Sequence, residues 1–419
     1  MKLLFLHQNF PAQFRHLAAH YASDPGNRVV AIGEAGKLER AAGLHPRIEL
    51  HPCSAPPPAG KACHPYLHGY EAAVRRGLAC ADIASRLKAA GFRPDVVVAH
   101  PGWGEALYLR DVFPGAKLVL YAEYYYHAAG ADVGFDPEFP PAADHLYRIR
   151  TKNTTQWMSM EHADLLLAPT RWQQSRFPGL VQRRIEVVHD GIDTRRVKPD
   201  ASANISLLST GITLGAEDEI VTYVARNLEP YRGFHVFMRS LPALLEMRPQ
   251  ARVLIVGGDE VSYGNKLAHG KTWRRTMIEE VGGRVDARRV HFLGRVAYAD
   301  YLRLLQISTA HVYLTYPFVL SWSLLEAMSA GCMVIGSGTA PVAEVIRHGE
   351  NGWLTDFFDH QALAEKVAAA IAQRHSLAPL RAAARQTVVD RFDLAGRCLP
   401  RQVALLEGLC SGTPPVGAA

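Results

Sequence analysis

Short apolar runs alternate with helix-type patterns along most of the chain, and this alternation occurs twice. In the first half the strand-type runs are residues 2–7, 28–34, 94–100, 116–123, 163–170 and 184–193. In the second half they are residues 218–226, 251–260, 285–296 and 310–316. Runs that are apolar on both faces and are joined by helices predict parallel sheets covered by helices on both sides. The predicted fold class is therefore α/β, with two doubly wound, Rossmann-like halves.

Polar and turn residues at 193–215 interrupt the alternation, so we place the domain boundary there. The predicted domains are 1–195 and 217–394, with a linker at 196–216 and a helix at about 395–412 that packs back on the first domain. The tail 411–419 is predicted to be disordered. A length of 419 residues suits two domains. Two doubly wound halves place the expected binding site in a central cleft, at the carboxyl ends of both sheets.

The charge of the chain limits the partners without choosing one. The formal net charge of +6 favours nucleotide phosphates, anionic lipid or nucleic acid. Lysine and arginine are dispersed among acids, which argues against nucleic acid. The six cysteines show no metal-ligand spacing, and we interpret them as free thiols in a reducing compartment. We expect a cytoplasmic protein, with peripheral association at the inner face of the membrane left open.

The stretch "SWSLLEAMSAG" predicts a short helix that begins at Ser321 or Ser323, ends at Gly331 and carries one acid, Glu326. Two interpretations of this acid remain open. Ser323-x-x-Glu326 has the spacing of a capping box, which stabilises a helix and performs no chemistry. An acid at the ligand end of a Rossmann-like domain also accepts hydrogen bonds from ribose hydroxyls.

Two arginines follow the first strand of the second half. Arg226 and Arg232 lie six residues apart, near the start of the next helix. A guanidinium fork matches phosphate oxygens, and a helix N-terminus also favours anions. The alternative is that both arginines only solvate a surface loop. Gly257 and Gly258 in "VGGDE" allow the backbone to approach a ligand, or belong to an ordinary turn.

Six segments carry a resemblance to a known family: "RIEVVHDGIDTRRVKP", "ARNLEPYRG", "VLIVGGDE", "VHFLGRVAYADYLRLL", "HVYLTYPF" and "LLEAMSAGCMVIGSGTAPVAEVIRHGENGWL". In this order and spacing they resemble the second half of family 4 glycosyltransferases, over residues 184 to 356. "MKLLFLHQNFPAQFRHLA" and "FDPEF" resemble a bacterial branch of the family with a divergent N-terminal domain. The resemblance implies a GT-B architecture, in which two Rossmann-like domains face a central cleft. It places a nucleotide diphosphate sugar on the C-terminal domain and the acceptor on the N-terminal domain.

The resemblance assigns roles to individual residues. Arg226 and Arg232 match the basic pair that contacts the donor diphosphate, although the family has lysine at the second position. Glu326 matches the second glutamate of a Glu-x7-Glu motif, which is similar to a ribose anchor. At the first glutamate of that motif this chain has Phe318. The backbone amides of Phe318, Val319 and Leu320, or another side chain, would then make the contact to the donor sugar that the glutamate makes in the family.

The first domain offers several candidates for acceptor binding and proton transfer. His100 ends a strand, with Trp103 and Glu105 in the next loop, and Glu123 follows the next strand. We expect catalytic roles for His100 and Glu123, beside Arg226 and Arg232, although a histidine at a strand end is also a common structural residue. The further acceptor-side candidates are Asn9, Gln13, Trp103, Glu105 and Tyr124. Tyr124 belongs to an aromatic cluster that would stack on a sugar ring, with internal packing as the alternative: Tyr121, Tyr124, Tyr125 and Tyr126.

The resemblance implies a retaining hexosyltransferase, in bacterial polysaccharide, glycolipid or glycoconjugate synthesis. The partners expected are a nucleotide-sugar donor and a carbohydrate, lipid-linked or small-molecule acceptor. No cofactor or metal is expected, because no Asp-x-Asp sequence or His/Asp cluster accompanies the motifs. Two alternatives remain: a nucleotide-sugar hydrolase or epimerase of the same architecture, and a non-catalytic protein that binds carbohydrate or lipid.

Overall fold

The computed structural model describes residues 1–41, 43–58, 60, 62–207 and 211–412. The chain forms two compact units, one made of residues 1–191 with the chain from 395 onwards, and one made of 192–394. Residues 413–419 of the tail that was predicted to be disordered lie outside the described residues. All six cysteines are free thiols.

Seven strands form the sheet of the first unit: β1 (Lys2–Leu6), β2 (Arg28–Glu34), β3 (Ile48–Cys53), β4 (Val96–Ala99), β5 (Lys117–Tyr121), β6 (Leu165–Ala168) and β7 (Ile185–Val187). Every pairing is parallel, in the order β3-β2-β1-β4-β5-β6-β7. Leu3 and Phe5 of β1 belong to one hydrophobic core, and Leu4 and Leu6 belong to the core on the opposite face. Side chains alternate across a strand, so a continuous apolar run fills two cores, as the sequence predicted.

In the described part of residues 1–191, eight α-helices accompany this sheet: α1 (Arg15–Ser23), α2 (Ala35–Leu38), α3 (His68–Ala89), α4 (Leu109–Val112), α5 (His145–Lys152), α6 (Thr154–Glu161), α7 (Arg171–Ser175) and α8 (Gly179–Gln182). Gly104, in the loop between β4 and α4, has a φ of +104°. A Cβ atom there would lie 2.1 Å from the carbonyl oxygen of Ala73 on α3. Only glycine therefore allows this loop to pack so closely against α3.

The second unit begins with an antiparallel hairpin, β8 (Asn204–Leu207) and β9 (Ile212–Gly215). Its main sheet contains β10 (Ile220–Asn227), β11 (Arg252–Gly258), β12 (Val290–Gly294), β13 (Ala310–Tyr313), β14 (Val334–Ser337) and β15 (Trp353–Thr355). These six strands are parallel, in the order β12-β11-β10-β13-β14-β15. The second predicted α/β half is therefore also present.

The segment 196–216, which was predicted to be a linker, is folded as part of the second unit. Val197 lies in a core cluster with Leu324, and Leu207 and Leu214 lie in another with Leu254. In the hairpin, alternation places the apolar residues on one face, whereas the polar residues that suggested a linker occupy the other face. Residues 208–210 of that segment lie outside the described residues.

Among its described residues, the second unit also contains seven α-helices: α9 (Phe234–Met247), α10 (Trp273–Val281), α11 (Tyr298–Gln306), α12 (Trp322–Ala330), α13 (Ala340–Ala343), α14 (His360–Ala372) and α15 (Ala378–Phe392). The Ser321 side chain caps α12 by accepting from the amide of Ser323, and Gly331 ends the helix with a left-handed φ of +84°. Both ends agree with the sequence prediction.

The last helix, α16 (Leu399–Ser411), packs on the first unit. Its Leu405 and Leu406 lie in the core cluster that contains Phe5, and the Gln402 amide donates to the His189 carbonyl oxygen at 3.1 Å. The first unit is thus completed by a segment that follows the second unit in sequence. No helix in the described part of the chain combines the length and the apolar composition needed to cross a bilayer.

Candidate functional site

A cavity of about 460 Å³ lies in the second unit, where β10, β11 and β12 end next to one another. Its lining comes from these strand ends and from the start of α11: Ala225, Arg226, Val256, Gly257, Arg295, Val296, Tyr298 and Tyr301. Ligands of doubly wound folds bind at the carboxyl ends of the strands, so this cavity occupies the expected position within its sheet.

Two cations face this cavity. The Arg226 guanidinium is exposed and makes no hydrogen bond or ion pair with any residue that the structure describes. The Arg295 guanidinium donates to the Asn227 side chain at 3.2 Å and to the Glu260 carboxylate at 2.7 Å, with 62% of its side chain exposed. Sequence reasoning missed Arg295, although it directly follows a strand. The pair gives the cavity the charge that an anionic ligand needs.

Arg232 is buried rather than exposed beside Arg226. One terminal nitrogen, Nη1, donates to the Thr315 hydroxyl at 2.8 Å and to the Val319 carbonyl oxygen at 3.1 Å. Burial alone would lower the pKa of Arg232, but the neighbouring Tyr313, Tyr263 and Glu229 outweigh it and raise the pKa. This guanidinium therefore fastens residues 315–319, and the interpretation of Arg232 as a cation that only solvates a loop is wrong.

The last two residues of β11, Gly257 and Gly258, are closely packed against other residues of the protein. A Cβ atom on Gly257 would lie 2.6 Å from the Leu228 side chain. On Gly258 it would lie 2.6 Å from the Asn227 Oδ1 atom and 2.9 Å from the Arg295 Nε atom. Both glycines thus belong to the strand rather than to a turn, and neighbouring side chains leave little room for a Cβ atom on either. Gly257 also lines the cavity.

Both carboxylate oxygens of Glu326 accept hydrogen bonds from tyrosine hydroxyls, at 2.6 Å from Tyr298 and 2.8 Å from Tyr301. Burial raises the pKa of Glu326, and the two hydrogen bonds partly oppose that shift. The capping-box interpretation is wrong, because the N-cap is Ser321 and Glu326 is the fifth residue of α12. What remains is an acid held beneath the two tyrosines that line the cavity.

Tyr298 and Tyr301 were not among the residues selected from the sequence. They lie three residues apart on α11, so both rings project from the same side of the helix. Tyr298 is 42% exposed, and the Arg196 guanidinium lies 4.7 Å from its ring centre. The i, i+3 spacing of two tyrosines directly after a strand was a usable signal.

Phe318 is packed in an aromatic cluster. Its ring lies 5.6 Å from that of Tyr231 and 4.9 Å from that of Tyr263, and only 5% of the residue is exposed. Its amide donates to the Tyr316 carbonyl oxygen at 2.7 Å. Of the three amides expected to replace the missing glutamate, that of Phe318 is therefore already bonded. Val319 is buried and Leu320 is half-buried against the core of α12.

Glu229, another residue that sequence reasoning missed, holds the loop after β11. Its buried carboxylate accepts from the amides of Ser262 and Tyr263 at 3.1 Å and from that of Gly264 at 3.0 Å. This fixes Tyr263, which contacts both Phe318 and Arg232. The sequence carries no signal for this role, since the acid and the loop are more than 30 residues apart.

The first unit brings four predicted residues together at the ends of β1, β4 and β5. The Gln13 amide donates to the Glu123 carboxylate at 2.9 Å, and the other oxygen of Glu123 lies 3.4 Å from the His100 Nε2 atom. The His100 ring stacks on Trp103, with ring centres 4.1 Å apart. His7 completes the cluster, 5.1 Å from the Trp103 ring. His7 was missed, although it ends a strand as His100 does.

Glu105 and Asn9 support this cluster through the backbone. The buried Glu105 carboxylate accepts from the Gln8 amide at 2.8 Å, and its Oε2 atom has no hydrogen-bond partner among the described residues. Burial raises the pKa of Glu105. The Asn9 amide donates to the His7 Nδ1 atom at 2.8 Å. Glu105 thus supports the loop after β1 from within the protein.

Tyr124 does not offer a free ring face. Its hydroxyl donates to the Asp132 carboxylate at 2.8 Å, and its buried ring lies 5.2 Å from that of Tyr126 and 5.8 Å from that of Trp172. Neighbouring rings therefore occupy the space that a sugar would need. The packing interpretation explains this residue, and the expectation that Tyr124 stacks on a sugar is corrected.

Comparison with known proteins identifies the family. A model described as glycosyl transferase family 4 group matches residues 25–197, and one described as glycosyl transferases group 1 matches residues 211–387. The chain belongs to the family 4 glycosyltransferases. Among curated relatives, the phosphatidyl-myo-inositol mannosyltransferase of Mycobacterium leprae is 29% identical over 45% of this family 4 chain and 48% of the relative. The spore coat protein SA of Bacillus subtilis is 26% identical over 46% of this chain and 50% of its own length. The matches span about half the length of these relatives.

Solved structures of similar fold cover nearly the whole chain. HepE of Anabaena in complex with UDP and glucose superposes with a TM-score of 0.69 at 20% identity, over 97% of this chain and 100% of HepE. Sucrose-phosphate synthase from Thermosynechococcus elongatus has a TM-score of 0.73 at 18% identity, over 98% of this chain and 100% of the synthase chain. The likeness shows a shared GT-B fold, which confirms the fold class predicted for this family 4 chain.

Proposed function

We propose that this family 4 glycosyltransferase moves a hexose from a nucleotide diphosphate sugar to an acceptor hydroxyl, with retention of the anomeric configuration. The observation that carries the proposal is the cavity of the second unit, where Arg226 and Arg295 lie at the ends of three adjacent strands. Retention and the hexosyl group rest on family membership. The biological setting that we propose is bacterial polysaccharide, glycolipid or glycoconjugate synthesis.

The charges of the cavity suit the leaving group. Cleavage of the anomeric bond leaves negative charge on the diphosphate, and the free guanidinium of Arg226 would stabilise that charge more in the transition state than in the ground state. Arg232 would act on the same anion from its buried position. The departing phosphate would assist deprotonation of the acceptor hydroxyl, in a substitution on one face of the sugar.

The acceptor side of the proposal rests on the first unit. Glu123 receives a hydrogen bond from Gln13 and lies within 3.4 Å of His100, so a proton can be shared between carboxylate and imidazole. The acceptor classes that we propose are a carbohydrate, a lipid-linked sugar or a small molecule. The setting that we propose is the cytoplasm, with peripheral association at the inner face of the membrane.

The first test is a calorimetric screen of UDP-, GDP-, ADP- and dTDP-sugars. UDP-glucose comes first, because a structure of HepE contains it. The Arg226→Gln variant should lose binding of the preferred donor, whereas Arg347→Gln, a cation that is 78% exposed beside Glu350, should retain it. Transfer to an acceptor panel, with NMR of the anomeric proton of the product, then tests retention. Hydrolysed or isomerised donor in the absence of acceptor would support a hydrolase or epimerase instead.

A further inference from the structure

Helices α5 and α6 of the first unit form an almost continuous helical segment. The hydrogen-bond ladder crosses the junction, because the Asn153 amide donates to the Ile149 carbonyl oxygen at 3.3 Å and the Trp157 amide donates to that of Asn153 at 3.1 Å. With about 3.6 residues per turn, positions 146, 147, 150, 154, 157, 158 and 161 then fall on one side. Residues 145–161 are called the docking helix below.

The docking helix has an inverted polarity. On the outward side, the exposed fraction is 53% for Leu146, 65% for Tyr147, 39% for Trp157 and 42% for Met158. On the inward side, the buried residues include Thr155, Gln156 and Ser159. A surface helix normally turns its apolar side to the core. Here the core receives Met160 and several polar side chains, whereas the solvent receives most of the large apolar ones, so the outward side needs another explanation.

Arg150 lies on the exposed apolar side, and two further cations of α5 lie on its other sides. The α5 part contains Arg148, Arg150 and Lys152 and no acid. Arg148 is paired with Asp144, and Lys152 lies over the Tyr126 ring at 3.4 Å. The Arg150 guanidinium is exposed and forms no hydrogen bond or ion pair with any described residue. The acid on this side is Glu161, at the far end of α6.

We propose that the docking helix lies on an anionic lipid bilayer, with Leu146, Tyr147, Trp157 and Met158 in the headgroup region and Arg150 on the phosphates. Tryptophan and tyrosine side chains favour the membrane interface, and basic side chains add attraction to anionic lipid. This inference deepens the proposed peripheral membrane association and rests on it.

A second copy of the chain fits this surface less well. Seventeen helical residues at about 1.5 Å each, about 10 Å wide, present on the order of 250 Å², against about 800 Å² per partner in a stable interface. A symmetric pair would also bring two unpaired Arg150 side chains to the same surface. An anionic bilayer has no such size requirement and complements the charge.

The docking helix is joined to the segment that carries Glu123. The Asn153 side chain donates to the Tyr126 carbonyl oxygen at 2.9 Å and accepts from the Tyr126 amide at 3.2 Å. The Trp157 indole nitrogen donates to the Tyr125 hydroxyl at 2.7 Å. The docking surface and the acceptor-side cluster thus belong to one connected part of the first unit. This arrangement suits an acceptor that is itself anchored in the bilayer.

The test is sedimentation of the full chain with phosphatidylcholine vesicles, with and without phosphatidylglycerol, in the absence of nucleotide sugar. We expect binding only to the anionic vesicles. Leu146→Ser/Tyr147→Ser should reduce the partition coefficient by about tenfold or more. Arg150→Gln should reduce it by about fivefold and weaken its dependence on salt. Trp157→Phe, with quenching by brominated lipid, checks the insertion of the indole.

The control variants come from α8 and its C-terminal end. Leu180 is 72% exposed, and the exposed Arg183 guanidinium forms no hydrogen bond or ion pair with any residue in the described part of the chain. Leu180→Ser and Arg183→Gln therefore remove the same kinds of group. Both should bind vesicles within about twofold of the parent. Equal binding by the docking-helix variants, no binding by the parent, or a parent dimer that Leu146→Ser/Tyr147→Ser dissociates would each overturn the proposal. Vesicle binding needs no turnover, so its failure is distinguishable from failure of the transferase assay.

Discussion

At the scale of single residues, Arg226 and Arg232 have opposite environments. Arg226→Gln should lower kcat/KM by about 100-fold and leave Tm unchanged, because an exposed charge that faces the cavity is lost. Arg232→Gln should also lower the unfolding free energy by about 2–4 kcal/mol, because the hydroxyl of Thr315 and the carbonyl oxygen of Val319 lose a buried, charged donor. Thermal melting and donor kinetics check both variants. Equal Tm values for the two variants would contradict the distinction.

Glu326 and Tyr298 give a second test. If ribose hydroxyls bind the Glu326 carboxylate, they replace a tyrosine hydroxyl as its hydrogen-bond donor. Glu326→Gln should then weaken the bare nucleotide diphosphate by about 1–3 kcal/mol. Tyr298→Phe should leave that affinity unchanged within about threefold, or increase it, because one carboxylate oxygen is released. Calorimetry with the bare nucleotide measures both. A lower Tm of the Glu326→Gln variant with unchanged affinity for the bare nucleotide would show that the acid only positions the two tyrosines.

Glu105 predicts a pH dependence of stability. Its pKa is raised in the folded chain, chiefly by burial, so the native state holds the proton more tightly than the unfolded state. Its contribution to stability is present below the unfolded pKa and is lost as pH rises through the folded pKa. Glu105→Gln removes this titration, so its stability relative to the parent should increase from pH 4 to pH 8. Urea unfolding at several pH values measures this difference, and a constant difference would contradict it.

At the scale of elements, the loop between β4 and α4 depends on Gly104. Gly104→Ala should cost about 3 kcal/mol or more, because a left-handed φ is combined with a contact of 2.1 Å to the Ala73 carbonyl oxygen. Gly91→Ala is the matched control: its φ of +86° is similar, and its Cβ atom would have no neighbour within 4 Å. That change should cost about 1–2 kcal/mol. Denaturant unfolding compares the two, and equal losses would exclude the contact as the cause.

At the scale of the whole molecule, we predict that transfer activity persists in excess EDTA. Arg226 and Arg295 would supply the positive charge that a divalent cation provides in other nucleotide-sugar sites. The measurement is the initial rate with the preferred donor before and after chelation. Loss of turnover that Mg²⁺ or Mn²⁺ restores would refute the prediction.

Most strands of the two sheets were predicted, because a buried parallel strand is a short apolar run whatever surrounds it. β3 and β15 were missed, since β3 alternates apolar and polar residues and β15 has only three residues. The ends of α12 were predictable too, since Ser321 and Gly331 act on their own backbone. The hairpin of β8 and β9 was missed. Its strands are only four residues each and half polar, and the apolar face is recognisable only against the core that it covers.

The sequence by itself determined the α/β class, the two halves, the family, and the strand ends where Arg226, His100 and Glu123 lie. Periodicity and motif spacing are local properties, and parallel strands carry their carboxyl ends to one edge. Only the tertiary structure decided that Arg232 is buried, that Glu326 lies beneath Tyr298 and Tyr301, and that Glu229 holds a loop more than 30 residues away. These facts depend on which side chains come into contact across distant segments. Burial and hydrogen bonding involve both partners, so the local sequence around either residue does not specify them.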